Sequence, residues 1–381
     1  MTTRYRAYVT VSPGLEDVLL EEVDGILTST PTWRTTRGGI EGWLDPIDLW
    51  SLAHFCRVAE GLRIRVGRFD ARTFAQFVAG LKKAPLAAYL APGARPKVQV
   101  TSRKSKLMHT GAIAERVEKV LNQHERGLGP TKTSSSGPGP NKASSSEPGP
   151  ALYVRLFRDK VTLSIDAAGQ LLHRRGHRVH VGQAPLRETL AAACLRLAGY
   201  QGDQALWDPF CGSGTFLMEA LDASRSKPRL QTRAFAFESW PTHDHALYGR
   251  WKHSFGQVAA PKALVFGSDR DPKEIKGALS NLETFQGHDR CHLMKGDFKT
   301  HVDQVLEGAC IVTNPPYGKR LKGDSLWVEE LGNMLRERRD LRPVHVLSPM
   351  PDLAQLTGHP FTELRSFLNG GLRVRLWRLE N

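Results

Sequence analysis

From Ala184 to the C-terminus, short apolar segments alternate with segments of helical periodicity, and this alternation constrains the possible folds most strongly. Cys310–Thr313 is typical of a buried strand, whereas Pro272–Glu283 and Leu326–Arg338 have helical spacing. Strands that alternate with helices pair in parallel, because the helices supply the crossover connections. Near the end, Asn369–Gly371 separates two apolar runs and predicts a hairpin. The pattern predicts a doubly wound parallel α/β sheet that closes with an antiparallel hairpin.

Positive charge is concentrated in one third of the chain. The formal net charge is +14, and residues 61–184 contain 22 Lys and Arg against 7 Asp and Glu, a net of +15. Charge selected only for solubility would be spread over the whole surface. A basic field confined to one region indicates a domain that binds a polyanion.

The periodicity predicts four regions. We expect a small α+β unit at 1–60, the basic domain at 61–168, a polar linker at 169–183 and the α/β domain at 184–381. Gly127–Pro150 interrupts the basic domain: Gly, Pro and Ser fill 16 of its 24 residues, and it contains a ten-residue tandem repeat. This composition predicts a disordered insert, because it offers too little apolar surface to offset the entropy of ordering.

Cysteine usage and hydropathy predict the compartment. The five cysteines are scattered without a CxxC pair, which favours neither a disulfide framework nor a metal site. No apolar run of about 18 residues is present, and the first residues do not resemble a signal peptide. We therefore expect a soluble cytoplasmic protein without a metal. The oligomeric state stays open, with a monomer favoured.

Polar and glycine residues follow successive predicted strands. The segment DPFCGSGT lies between a strand and a helix, where glycines let backbone amides approach a ligand at a helix N-terminus. Acidic residues end the next two strands, in GSDRD and KGDF, and suit ribose hydroxyls and an adenine amino group. Asp271 is an alternative to Asp269 as the ribose ligand. The candidate ligand-binding residues are Asp208, Cys211, Gly212, Gly214, Thr215, Asp269 and Asp297.

The motif Asn314-Pro315-Pro316-Tyr317 directly follows a predicted strand. Two prolines stiffen the chain, so the Asn314 side chain and a nearby carbonyl are held in place. These acceptors could hold the two hydrogens of an exocyclic amine in line with an electrophilic methyl group. Tyr317 could stack on a base flipped out of its helix. These four residues are the candidate catalytic residues.

In this order, the motifs DPFCGSGT, GSDRD, KGDF and NPPYG resemble those of class I S-adenosylmethionine methyltransferases that modify exocyclic amines. Ala184–Ala191 (APLRETLA) resembles the RlmKL/TrmN-like family, around the guanine-N2 methyltransferase half of bacterial RlmL. Ser102–Val117, the hairpin over 153–165 and His173–Gly176 resemble its THUMP domain, and the N-terminal unit resembles the ferredoxin-like domain before THUMP. The resemblance implies an α/β Rossmann-like methyltransferase domain preceded by α+β ferredoxin-like and THUMP domains.

The resemblance further implies an enzyme that transfers a methyl group from S-adenosylmethionine to guanine N2 in RNA, leaving S-adenosylhomocysteine. Large-subunit (23S) rRNA is the expected substrate. The chain ends after one methyltransferase domain, unlike the fused rRNA enzyme, so tRNA remains an alternative. NPPY alone also fits DNA adenine-N6 or release-factor glutamine methylation, and a non-catalytic RNA-binding or ribosome-assembly factor remains open. The predicted RNA-contacting residues, for which a solvated surface is the alternative, are Arg103, Lys104, Lys106, His109, Arg174 and Arg175.

Overall fold

The strands belong to two sheets, one in each half of the chain. A computed structural model describes residues 3–127, 150–175, 180, 186–225, 230–257, 259–283, 285–316 and 326–380. Within these residues, seven strands form each sheet. The predicted insert at 127–150 lies almost entirely outside the described residues, as does most of the linker after residue 175. No helix in the described ranges is both long and apolar enough to cross a membrane.

The first sheet is mixed and has the strand order β2-β3-β1-β4-β7-β6-β5. Its strands are β1 (Tyr5–Thr10), β2 (Arg34–Thr36), β3 (Gly39–Leu44), β4 (Gly61–Asp70), β5 (Lys97–Arg103), β6 (Ala151–Phe157) and β7 (Lys160–Asp166). The helices in this half are α1 (Glu16–Ile26), α2 (Pro46–Phe55), α3 (Phe74–Lys82) and α4 (Thr110–Gly127). Because β4 pairs with both β1 and β7, one sheet continues across the boundary that we predict at residue 60.

The second sheet confirms the predicted alternation and has the order β10-β9-β8-β11-β12-β14-β13. Its strands are β8 (Leu206–Asp208), β9 (Val265–Asp269), β10 (Cys291–Lys295), β11 (Cys310–Thr313), β12 (Val344–Ser348), β13 (Phe361–Asn369) and β14 (Leu372–Leu379). The helices are α5 (Glu188–Leu197), α6 (Thr215–Ala223), α7 (His245–His253), α8 (Pro272–Glu283), α9 (Leu326–Glu337) and α10 (Leu353–Thr357). Strands β8 to β12 are parallel, and β14 is antiparallel to β12 and β13. The strand order reverses between β8 and β11, where open α/β sheets bind ligands.

The second sheet is buried on both faces. Leu206 and Trp207 are adjacent in β8 and both fully buried, yet they belong to separate apolar clusters. Val265 and Phe266 of β9 likewise belong to one cluster each. Successive side chains of a strand point to opposite faces, so a sheet covered on both sides needs continuous apolar strands.

The two halves share a continuous apolar core. One cluster contains Val9 and Leu62 of the first sheet together with Leu190 of α5 and Val374 of β14. Polar contacts add to it. Arg187 forms an ion pair of 2.5 Å with Glu60. The halves are therefore packed against each other through buried side chains.

Candidate active site at the carboxyl edge of the parallel sheet

The glycine loop between β8 and α6 forms a tight turn against β9. Gly212 and Gly214 have φ values of +50° and +83°, in the left-handed region that favours glycine. The Cys211 amide donates a 2.9 Å hydrogen bond to the Ser268 carbonyl of β9. α6 begins at Thr215 directly after Gly214. The loop therefore lies at a helix N-terminus, where backbone amides favour a polar or anionic ligand.

Asp208 lies beneath this loop and is 2% exposed. Its Oδ1 accepts hydrogen bonds from Thr313 Oγ1 at 2.6 Å and from the Phe210 amide at 3.1 Å. Burial raises the pKa of Asp208 to about 7, and the nearby Asp269 carboxylate contributes to the increase. Asp208 thus connects the end of β8, the glycine loop and the end of β11.

Asp269 at the end of β9 contacts the loop directly. Its Oδ2 accepts from the Gly212 amide at 2.9 Å and its Oδ1 from the Asp271 amide at 2.8 Å. Burial raises the pKa of the Asp269 carboxyl. The exposed Asp271 instead accepts from the Lys273 amide at 2.8 Å, at the start of α8. Since Asp271 caps a helix and Asp269 lies against the loop, the geometry favours Asp269 over the alternative that the sequence leaves open.

Asp297 follows β10 and caps the 3₁₀ helix Phe298–Thr300, where its carboxylate accepts from the Lys299 amide at 3.1 Å. Next to it, Phe298 packs on Phe210 of the glycine loop, with ring centroids 5.1 Å apart. Phe210 also packs edge-on against Trp327 of α9, at 5.7 Å. Sequence reasoning missed this aromatic cluster. The sequence feature that could have indicated it is that Phe210 and Phe298 each lie within two residues of an acidic residue predicted to bind the ligand.

Asn314 follows the last residue of β11. Its Oδ1 is shielded from solvent, and within the described residues no hydrogen-bond donor contacts it. Pro315 is buried and Pro316 half-buried. Tyr317 lies outside the described residues. A buried acceptor without a donor is costly, and such an atom is suited to accept a hydrogen from a ligand.

The chemistry of the edge matches the cofactor that the resemblance implies. Two left-handed glycines keep side chains out of the loop, and Asp269 and Asp297 place carboxylates after the next two strands. Burial, with Asp208 and Asp269, raises the pKa of the Cys211 thiol well above its usual value. A protonated thiol is a poor nucleophile, so Cys211 has no nucleophilic role at this site. No cluster of His, Cys, Asp and Glu suited to a metal occurs within the described ranges.

The predicted RNA-contacting residues Arg103, Lys104, Lys106 and His109 are exposed around the β5–α4 loop. The turn between β6 and β7 holds this loop. Asp159 Oδ1 accepts from the Lys106 amide at 2.7 Å, and the Asp159 amide donates to Ser105 Oγ at 3.0 Å. These four exposed residues therefore lie on or next to a loop that hydrogen bonds hold against the β6–β7 turn.

Sequence reasoning missed part of this basic surface. Phe157 is 37% exposed, and the guanidinium carbons of Arg158 and Arg155 lie 5.3 and 5.6 Å from its ring centroid. An exposed ring beside cations is suited to stack on a nucleobase. The sequence feature that could have indicated it is Arg158 and Lys160 within the predicted hairpin over 153–165.

The structure contradicts the RNA-contact prediction for Arg175 but not for Arg174, which is exposed. Arg175 is 6% exposed, and its Nη1 lies 2.9 Å from the Glu219 carboxylate. Its Nη2 donates to the Arg57 carbonyl at 2.7 Å, and Arg57 also pairs with Glu219. Because its charge is buried and paired, Arg175 joins the two halves of the protein and does not face RNA.

Comparison with known proteins finds a matching family model and several similar proteins. Residues 175–337 match the family model described as "RMKL-like, methyltransferase domain". The chain is 31% identical to Ribosomal RNA large subunit methyltransferase K/L of Stutzerimonas stutzeri, over 99% of this chain and 53% of the relative. It is 28% identical to the protein of Synechocystis sp. named "Putative RNA methyltransferase slr0064", over 98% of this chain and 96% of that protein.

A solved structure shows the same fold. The crystal structure of SMU.472 complexed with SAH aligns with a TM-score of 0.80 at 24% identity, over 99% of this chain and 98% of that chain. This likeness confirms the predicted α/β, Rossmann-like fold class. The chain spans about half the length of the K/L methyltransferases that it matches. The THUMP identity of residues 61–168 stays a prediction.

Proposed function

We propose that this protein is an S-adenosylmethionine-dependent RNA methyltransferase that modifies the N2 amine of a guanine. The match of residues 175–337 to the RMKL-like methyltransferase domain model supports this proposal. The observation that carries the proposal is the Asn314 Oδ1 atom, a buried acceptor without a donor in the described part of the chain. Asn314 follows β11, at the same edge of the second sheet as the glycine loop and Asp269.

The cofactor-binding residues on this proposal are Asp208, Cys211, Gly212, Gly214, Thr215, Asp269 and Asp297. When bound, S-adenosylmethionine supplies an electrophilic methyl group and becomes S-adenosylhomocysteine. The glycine loop provides space and backbone amides at the start of α6, and Asp269 provides acceptors for ribose hydroxyls. Asp208 holds the loop in place by accepting a hydrogen bond from the Phe210 amide.

Asn314 orients the acceptor amine. The lone pair of a guanine amine is conjugated with the ring, so catalysis depends on placement and on hydrogen bonds to the amine protons. Asn314 Oδ1 accepts a hydrogen bond from one amine N–H, and the stiff Pro315-Pro316 segment holds Asn314 in position. Tyr317 stacks on the flipped base. The buried Cys211 thiol takes no part as a nucleophile, as expected for an amine target.

The RNA substrate is supported by the relatives' names and by charge. The first relatives are rRNA methyltransferases, and the exposed cations of the basic surface suit phosphates. We favour 23S rRNA, with tRNA guanine as the second candidate. On this proposal residues 1–60 form the ferredoxin-like domain, 61–168 the THUMP domain, 169–183 the linker and 184–381 the catalytic domain of a monomeric cytoplasmic enzyme.

The direct test incubates the purified protein and labelled S-adenosylmethionine with unmodified 23S rRNA transcript, bulk tRNA and duplex DNA. The labelled nucleoside is then identified by mass spectrometry. We expect N2-methylguanosine from rRNA. N2-methylguanosine from tRNA alone would replace rRNA by tRNA as the substrate. N6-methyladenine in DNA would overturn guanine N2 as the methylated atom. Cofactor binding without turnover would favour the non-catalytic RNA-binding factor.

A further inference from the structure

A polar cleft lies between the two halves of the molecule, apart from both sites described above. It has a volume of about 490 Å³ and is bounded by the β1–α1 turn, the β2–β3 turn and the C-terminal hairpin. Its cationic lining residues are Arg37 and Arg373, and Thr35, Thr36 and Ser366 contribute hydroxyl groups. The Thr36 hydroxyl donates to the Gly39 carbonyl at 3.2 Å. The Thr35 and Ser366 hydroxyls and the two guanidinium groups therefore form the donor set, which suits a phosphate oxygen.

Both arginines are available to a ligand. Arg37 and Arg373 are exposed. Within the described residues, the Arg37 side chain forms no hydrogen bond or ion pair, and Arg373 forms one long side-chain hydrogen bond of 3.4 Å, to Ser366 Oγ. Neighbouring charges are already engaged, since Arg365 pairs with Asp17 at 2.5 Å. Arg37 and Arg373 therefore supply the available positive charge of the cleft.

One acid, Glu16, also lines the cleft. Its Oε2 accepts from the Gly14 amide at 2.8 Å and its Oε1 from the Gly38 amide at 2.6 Å. These bonds hold the two turns of the N-terminal unit together. The carboxylate is thus directed at backbone amides, and its repulsion of an anion is reduced.

The cleft opens at the same sheet edge as Asn314. Ser348 ends the parallel strand β12, next to β11, and pairs with Arg375 of β14. Arg373 therefore lies beyond the carboxyl end of β12. Two strand spacings and about three residues separate Arg373 from Asn314, which amounts to roughly 14 Å between Cα atoms. A single RNA strand could contact both positions.

We infer that Arg37 and Arg373 form a phosphate-binding cleft for the RNA strand that flanks the target guanine. This inference rests on the proposed function, because it assigns RNA as the occupant. The cleft holds one or two backbone phosphates, while the basic surface around Lys106 binds a more distant part of the same RNA. The contacts position the strand and read no sequence.

The test measures binding of a 23S rRNA transcript across a salt series for Arg37→Ala, Arg373→Ala and the double variant. We expect the double variant to bind about tenfold more weakly at 0.1 M salt, with a salt slope smaller by about two. The KM for RNA should rise by a similar factor. Arg34→Ala is the matched control, since Arg34 is exposed on β2 but does not line the cleft.

Unchanged RNA affinity in the double variant, or an equal loss in Arg34→Ala, would overturn the inference. Inorganic phosphate is the second probe. If phosphate raises the Tm of the wild type but not of the double variant while RNA affinity stays equal, the cleft takes free phosphate and the RNA assignment is wrong. Failure of the wild type to methylate any RNA would instead overturn the proposed function, so the two failures can be told apart.

Discussion

The Thr313 hydroxyl donates a 2.6 Å hydrogen bond to Asp208 Oδ1, and this contact joins the two strand ends that carry the candidate site. Asp208 precedes the glycine loop, and Thr313 precedes Asn314. Both residues are buried. Together with the backbone pairing of β8 and β11, this hydrogen bond sets the distance between the glycine loop and Asn314.

The raised pKa of Asp208 predicts a pH-dependent stability. Its folded pKa is about 7, above the 3.8 of an ordinary Asp, because burial favours the neutral acid. The folded state then binds more protons, so this contribution is present below about pH 4 and is lost as pH rises through 7. Asp208→Asn cannot titrate. We expect the wild type to lose stability relative to this variant by up to about 1.4 kcal/mol per pH unit between pH 4 and 7.

Urea denaturation of both proteins at pH 5, 6, 7 and 8 measures this difference. Taking the difference between the proteins cancels the titration of the groups that do not interact with Asp208. Parallel stability curves would show that Asp208 is already ionised in the folded protein at pH 5.

The roles of Asp269 and Asp271 can be separated by calorimetry. Asp269→Ala removes ribose acceptors and the contact to the Gly212 amide, so S-adenosylmethionine should bind about 1–3 kcal/mol more weakly. Asp271→Ala removes a helix cap and should lower stability by about 1 kcal/mol while leaving affinity nearly unchanged. The reverse pattern of affinities would assign the ribose to Asp271.

Asn314→Ala should reduce turnover by about 100-fold or more, because one preorganised acceptor is lost. Cofactor affinity should not change. Since Asn314 Oδ1 has no donor within the described ranges, the free energy of unfolding should stay equal or rise slightly. The assay is transfer of labelled methyl groups to RNA, with thermal unfolding measured in parallel.

Asn314→Asp is the matched control for the acceptor, because a carboxylate of the same length keeps an oxygen in place. It should retain more activity than Asn314→Ala. Full activity in Asn314→Ala would contradict the mechanism.

Replacing Arg103, Lys104 and Lys106 with Ala should weaken RNA binding at every sequence and lower the salt slope by about one per lost phosphate contact. S-adenosylmethionine affinity should be unaffected, because these residues lie in the first half of the chain. Lys119→Ala is the control, since this exposed lysine is paired with Glu115 on α4. Equal losses of RNA affinity in both variants would show that the effect comes from the overall charge of the protein.

Arg175→Ala should act on stability, in contrast to the sequence-based prediction of RNA contact. It leaves the buried Glu219 carboxylate with Arg57 as its arginine partner, so the free energy of unfolding should fall by about 1–3 kcal/mol. Urea denaturation measures this loss. The salt slope of RNA binding should equal that of the wild type. A smaller slope would show that Arg175 contacts RNA.

Periodicity predicted most of the fold but missed α7. This helix, His245–His253, is largely polar, so no apolar stripe indicates it. Tyr248 is its buried residue, and its hydroxyl contacts His54 Nε2 at 2.8 Å across the interface with α2. The local signal was Asp244, whose side chain caps the helix. Tertiary packing, which local sequence does not encode, stabilises this element.

The sequence alone determined which residues meet at the edge of the second sheet. Asp208, Asp269 and Asn314 each follow or end an apolar strand, and parallel strands place their carboxyl ends together. The tertiary structure alone decided what each polar group does there. Arg175 lies among basic residues in sequence but pairs with Glu219, 44 positions away, because burial requires a partner that only the fold brings near. Asp269 and Asp271, two residues apart, differ only in whether the backbone turns them toward the loop or toward α8.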